Sequence, residues 1–97
     1  MKKYEAMFIV KPDLAEEEKK ALFNQIQELI TKNNGSILQS SVWAERRKLY
    51  FTIKKCREAT YYLVNFTLGP EAITKISHAY SLNENILRVL ISAQGGK

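Results

Sequence analysis

Cysteine and histidine each occur once in the chain, as Cys56 and His78, and that scarcity excludes several chemistries. One thiol cannot form an internal disulfide or supply the sulfur ligands of a structural zinc, and a reducing interior fits its isolation. Hydrolysis or group transfer needs a nucleophile with a base, an acid–base pair or a metal, and the sequence marks no such set. His78, between Ser77 and Ala79, reads as a surface or half-buried helix residue. Cys56 has Lys54, Lys55 and Arg57 beside it, but with no base at hand it reads as an incidental thiol. No phosphate-cradling glycine loop and no metal-ligand spacing occurs. The expectation is therefore a protein that is not an enzyme and holds no cofactor or metal.

Long apolar runs are also missing. The longest, such as Ala6 to Val10, are of strand length, far short of the roughly 18 residues that would signal a membrane span. Lys2 and Lys3 lead straight into a strand-like segment that breaks at Lys11–Pro12–Asp13, without the pattern of a secretory leader. The protein is expected to stay in the compartment where it is made. With four glycines, two prolines, 45% hydrophobic and 26% charged residues, the chain is not disordered wholesale. Its 97 residues suffice for one hydrophobic core. We read residues 1–97 as one domain, ordered over about 2–93, with Gly95–Gly96–Lys97 as a frayed tail.

Alternation is the clearest positive signal. In residues 4–10 it sets Tyr4, Ala6, Phe8 and Val10 on one face, the better core candidate, and Glu5, Met7 and Ile9 on the other. Pro12 ends this strand, and Asp13 is expected to cap a helix, with Glu16 completing a capping box. Leu22, Ile26, Leu29 and Ile30 then recur at helical spacing, while Glu16–Lys20 and Glu28–Lys32 are i,i+4 pairs. Asn34–Gly35 should stop the helix, with Gly35 taking the left-handed conformation. A long strand follows from about Ser36 towards Ile53. Neither of its alternating sets, Ile37, Gln39, Ser41, Trp43 or Leu38, Ser40, Val42, Ala44, is cleanly apolar, which a bulge would explain.

Residues 54–58 read as a hairpin connection lacking an Asn-Gly turn. Residues 60–68 form the next strand, with Tyr62, Val64, Phe66 and Leu68 facing one way and Tyr61, Leu63, Asn65 and Thr67 the other. Pro70 suits the first turn of a second helix, whose buried stripe is Ile73, Ile76 and Tyr80, flanked by Ala72 and Ser77. Ile86 to Ile91 make a last strand, with Val89 and Ile91 inward and Arg88 and Leu90 outward. Order βαββαβ, with both helices amphipathic on one side, predicts an α+β fold: a four-stranded antiparallel sheet, order 4-1-3-2, with two helices on one face. Met7, Ile9, Tyr61, Leu63 and Leu90 would lie on or near the uncovered face.

The formal charge of +5 favours a polyanionic partner. Its focus is the block from Arg46 to Arg57, with six cations in twelve residues and apolar or aromatic residues between them. Such cations can neutralise phosphates and release counterions on RNA. A solvated charged edge that blocks unwanted strand pairing explains the same block. Lys2, Lys3 and Arg88 would extend the positive surface, because the first and last strands are neighbours in the 4-1-3-2 order. Trp43 and Tyr61 read as core or partner-interface residues before base-stacking ones.

Over essentially its full length the chain resembles the bacterial-type ribosomal protein S6 family. The likeness is carried by KKYEAMFIVKPD at the start, VWAERRKLYFTIKK, YYLVNF and NENILRVLIS, in that order and spacing. It implies a ferredoxin-like fold and a structural role in the small subunit of a cytoplasmic or organellar ribosome. It also implies binding to the central domain of 16S-type ribosomal RNA together with ribosomal protein S18, with neither membrane nor small-molecule substrate as partner. By position, Lys2, Lys3, Tyr4, Trp43, Arg46, Arg47, Lys48, Leu49, Phe51 and Arg88 match family positions. The expected RNA-binding residues are Lys2, Lys3, Arg46, Arg47, Lys48, Lys54, Lys55 and Arg88; the expected protein-partner interface is Trp43, Tyr61, Leu63 and Leu90. Ala44 and Glu45 depart from the family's Trp-Gly-basic pattern, and the step from Trp43 to Leu49 is one residue longer, leaving the register over 43–49 open. Two other readings use the same scaffold. An acylphosphatase-like hydrolase lacks its glycine-rich anion loop, and a single-strand RNA binder resembling an RRM would want exposed aromatics on both central strands, whereas the first offers Met7 and Ile9 and the other only Tyr61 and Leu63.

Overall fold

A computed structural model describes residues 2–94; the Gly95–Gly96–Lys97 tail lies outside them. The elements follow in the order β1 (Lys2–Val10), α1 (Glu16–Lys32), β2 (Ser36–Ile53), β3 (Cys56–Leu68), a 3₁₀ turn (Pro70–Ala72), α2 (Ile73–Ser81) and β4 (Ile86–Ala93). One antiparallel sheet has the order β2-β3-β1-β4, the 4-1-3-2 arrangement read from its other edge. Both helices pack on the same face.

The inward set expected of β1 and β3 is the core. Tyr4, Ala6, Phe8 and Val10 meet Tyr62, Val64, Phe66 and Leu68, and Leu22, Ile26, Ile30, Ile76 and Tyr80 close over them from the helices. Phe8 meets Tyr80 edge-on at 4.8 Å between ring centroids, and Phe23 stacks on Tyr62 at 3.8 Å. Polar atoms at this layer are satisfied. The Tyr80 hydroxyl donates to the Ile26 carbonyl oxygen at 2.6 Å, and Gln27 Nε2 donates to the Tyr62 hydroxyl at 2.8 Å. Burial, and secondarily the neighbouring Tyr62, raise the Tyr80 hydroxyl's pKa far above the usual tyrosine value.

Several local details differ from expectation. The cap of α1 is Ala15, not Asp13, and Glu18 Oε1 accepts its backbone N–H at 3.1 Å in the place expected of Glu16. Asp13, two residues before the cap, is exposed and paired with Arg46. Glu16 pairs with Lys19 at 3.7 Å, one turn position short of Lys20. At the other end it is Asn34, with φ of 70°, that takes the left-handed conformation. Gly35 N–H and Asn34 N–H donate to the Ile30 and Thr31 carbonyls at 2.9 and 3.0 Å, closing a Schellman motif. Gly35 is needed one residue later for close approach, since a Cβ there would lie 2.6 Å from the Thr67 carbonyl oxygen and 2.7 Å from Ile30 Cγ2.

The ambiguity of β2 resolves into repeated bulges, with register shifts between Ile37 and Gln39, Val42 and Ala44, Ala44 and Arg47, and Lys48 and Ile53. Each extra residue reverses which parity points inward, so no single alternating set could be apolar throughout. Lys54 and Lys55, with φ of 47° and 68°, form the whole two-residue hairpin loop, and Cys56 to Glu58 already belong to β3. Positive φ at both loop positions is the type I′ pattern, adopted here without its preferred Asn-Gly pair.

Candidate protein and nucleic-acid interface

The face of the sheet opposite the helices is graded along the strands. Nearest the start of β1, Glu5 is flanked by Asn65 and Ser92, with Gln39 beyond Asn65, a polar row. One step on, Met7 is flanked by Leu63 and Leu90, an apolar row in which Leu90 is 46% exposed. The next row sets Tyr61 and Arg88 either side of Ile9. Trp43, half exposed at a bulge, meets Tyr61 edge-on at 5.7 Å, and the Arg47 guanidinium lies 4.9 Å over the Trp43 ring. Four residues expected at a protein interface, Trp43, Tyr61, Leu63 and Leu90, thus line adjacent rows of one surface.

Ile9 is a correction to the open-face set. It is buried, and so is Leu87, because the far end of the β2–β3 hairpin carries Leu49, Ile53 and Cys56 against them. The strong twist that bulges impose bends the hairpin over this corner of the sheet.

That bend decides which cations meet. Lys54 at the hairpin tip and Arg88 on β4 line one cleft of about 350 Å³ together with Ser81, Ile86, Leu87 and Val89. Arg47 and Lys48 flank a second, of about 550 Å³, with Leu49 and Tyr50. Lys55 joins Arg46 and Arg57 around a third of about 230 Å³, but Asp13 and Glu58 share it. Arg46, expected as an RNA contact, is held between those carboxylates, at 3.4 Å from Asp13 and 3.5 Å from Glu58. Its side chain remains 60% exposed, so these pairs are weak and mainly compensate charge.

Lys2 and Lys3 are exposed but stand at the opposite end of β1, beside Leu68 and Thr67. The six residue steps from Lys3 to Ile9, which pairs with Arg88, cover roughly 20 Å at strand rise. Neighbouring strands did not make neighbouring charges, because β1 and β4 run antiparallel.

Sequence reasoning missed Tyr50 and Phe51, both largely exposed at the hairpin flank. The available signal was an apolar triplet, Leu49–Tyr50–Phe51, that breaks period-2 alternation amid cations. His78 is exposed on α2, Cys56 is half-buried under the hairpin, and among the described residues no cluster of potential metal ligands occurs. No helix among them is long and apolar enough to cross a membrane.

The model of the family described as ribosomal protein S6 matches residues 3–93. The chain belongs to the ribosomal protein S6 family. It is 36% identical to small ribosomal subunit protein bS6 of Caldanaerobacter subterraneus subsp. tengcongensis, over 94% of this chain and 95% of that protein. It is 38% identical to bS6 of Helicobacter acinonychis, again over 94% of this chain, which spans 63% of that longer relative. The crystal structure of 30S ribosomal protein S6 from Thermotoga maritima superposes with a TM-score of 0.87 at 26% identity, covering 96% of this chain and 87% of that one. The fold is therefore the ferredoxin-like arrangement expected from the sequence, with the apolar rows of this chain on its uncovered side.

Proposed function

We propose that the protein is a non-catalytic structural constituent of the small ribosomal subunit, at work in the cytoplasm, where it binds the central domain of 16S-type ribosomal RNA together with ribosomal protein S18. Residues 1–97 act as one S6-like domain in this reading. The observation that carries it is adjacency: an apolar strip through Met7, Leu63 and Leu90 abuts a corner where Lys54 and Arg88 converge. A protein partner takes the strip, with Trp43 and Tyr61 at its margin. RNA phosphates take the corner, contacted by Lys54, Arg88, Arg47, Lys48 and Lys55. Arg46, sharing its charge with Asp13 and Glu58, contributes less, and Lys2 and Lys3 serve a separate stretch of RNA at the far end of β1.

The likeness to S6 proteins supports the ribosomal part of this reading, and the charge distribution supports the orientation. Binding of the chain to central-domain RNA, measured with and without S18, tests both. Joint binding should exceed the sum of separate affinities, and absence of any stimulation would remove the cooperative pair. Arg88→Gln should weaken binding and reduce the slope of log K against log salt by about 0.7–0.9, the release of one counterion, whereas Arg46→Gln should alter the slope less.

A further inference from the structure

Between Lys48, opposite Glu58, and Ile53, opposite Cys56, the four residues Leu49, Tyr50, Phe51 and Thr52 of β2 face the single residue Arg57 of β3. Leu49 and Ile53 turn into the small cluster beneath the hairpin. Regular alternation would place Phe51 beside them, yet Phe51 is 80% exposed and Tyr50 wholly so. The surplus of residues ejects two adjacent aromatic side chains onto the surface. Tyr50 walls an open cleft with Leu49, and Arg47 and Lys48 form the rest of its lining. From Arg46 to Arg57 no carboxylate occurs.

We propose that Tyr50 and Phe51 form a stacking platform for an unpaired RNA base, with Arg47 and Lys48 holding the flanking phosphates. This deepens the ribosomal reading above and rests on it. Tyr50 in an open cleft with Arg47 and Lys48, and Phe51 exposed next to it in the chain, match the chemistry by which single-stranded nucleic acid is held. Charge decides the class of occupant: a protein surface reaching this cleft would have to answer Arg47 and Lys48, with no carboxylate in its lining, which a phosphate backbone does at every nucleotide.

Fluorescence anisotropy of a labelled single-stranded oligoadenylate dodecamer, beside an RNA duplex of equal length, provides the test. The full chain should bind the single strand, and the double variant Tyr50→Ala, Phe51→Ala should bind it roughly ten- to hundredfold more weakly at unchanged salt slope. Duplex binding should change by less than about twofold, since paired bases cannot reach the platform. Tyr50→Phe should keep wild-type affinity, because the ring face and not the hydroxyl makes the contact. Failure of the full chain to bind the single strand would overturn the proposal, as would equal losses on both RNAs. So would a double variant that binds oligoadenylate normally but no longer assembles with S18, which would assign the pair to a protein. The broader ribosomal reading fails separately, if the unmodified chain does not join central-domain RNA with S18.

Discussion

Phe66 and Phe51 are the same side chain in opposite circumstances, the first fully buried between sheet and helices and the second 80% exposed on the hairpin. Under the helices, strict alternation on β1 and β3 and helical spacing on α1 and α2 drive every large apolar group into one cluster. On the hairpin, bulges break that alternation, so the chain spends aromatic residues on its surface. Burial of a large apolar side chain is worth about 1.5–3 kcal/mol, and the hairpin forgoes it at two adjacent positions. One region buries its aromatic residues for stability and the other leaves them in solvent.

The sharpest way to break this contrast is a pair of truncations. Phe66→Ala should destabilise the protein by about 3–5 kcal/mol in urea denaturation, while Phe51→Ala should stay within about 0.5 kcal/mol of the original. Comparable losses would mean that the hairpin belongs to the core.

Tyr80→Phe probes the closed side more finely. Removing the hydroxyl leaves one acceptor of the buried Ile26 carbonyl oxygen without its partner, at a cost of about 1 kcal/mol near neutral pH. Because the folded state holds the Tyr80 hydroxyl's pKa far above its unfolded value of 10.0, the phenol stays protonated in the fold while it ionises in the unfolded chain. Its contribution is therefore complete below pH 10 and is lost as pH rises further, at up to about 1.4 kcal/mol per pH unit. Stability against pH, measured for both proteins, should show the variant declining less steeply in that alkaline range.

The smallest expected effect tests the hairpin's backbone. Lys54→Asn with Lys55→Gly relieves positive φ at both loop positions and should raise stability by about 1 kcal/mol. The same change should weaken RNA binding through the two lost charges, separating contact from stability within one loop.

Most of the closed side was legible in the sequence, because each of its elements obeys one period from end to end: 2 for β1 and β3, 3.6 for the helices. What was not legible arose where local rules compete. Asp13 and Ala15 both precede the helix, and Glu18 satisfies the cap from within, so the stronger capping residue was free to meet Arg46. Asn34 and Gly35 can each adopt left-handed backbone, and the contact of Gly35 with Thr67 and Ile30, a tertiary fact, divides their roles. The bulges of β2 leave only disturbed alternation as their trace. The site cations were legible as residue types but not as a constellation, since only the bend of the hairpin brings Lys54 to Arg88 and only the antiparallel register takes Lys2 and Lys3 away.

Footprinting of lysines by amine-reactive labelling, on the chain alone and assembled with S18 and central-domain RNA, tests most directly whether the hairpin side carries the contacts. Lys48, Lys54 and Lys55 should become protected on assembly, while Lys20 and Lys32 on α1 and Lys75 on α2 react as they do in the free protein. Protection of the helix lysines with the hairpin lysines left reactive would contradict the assignment and place the ribosomal contacts on the opposite side of the fold.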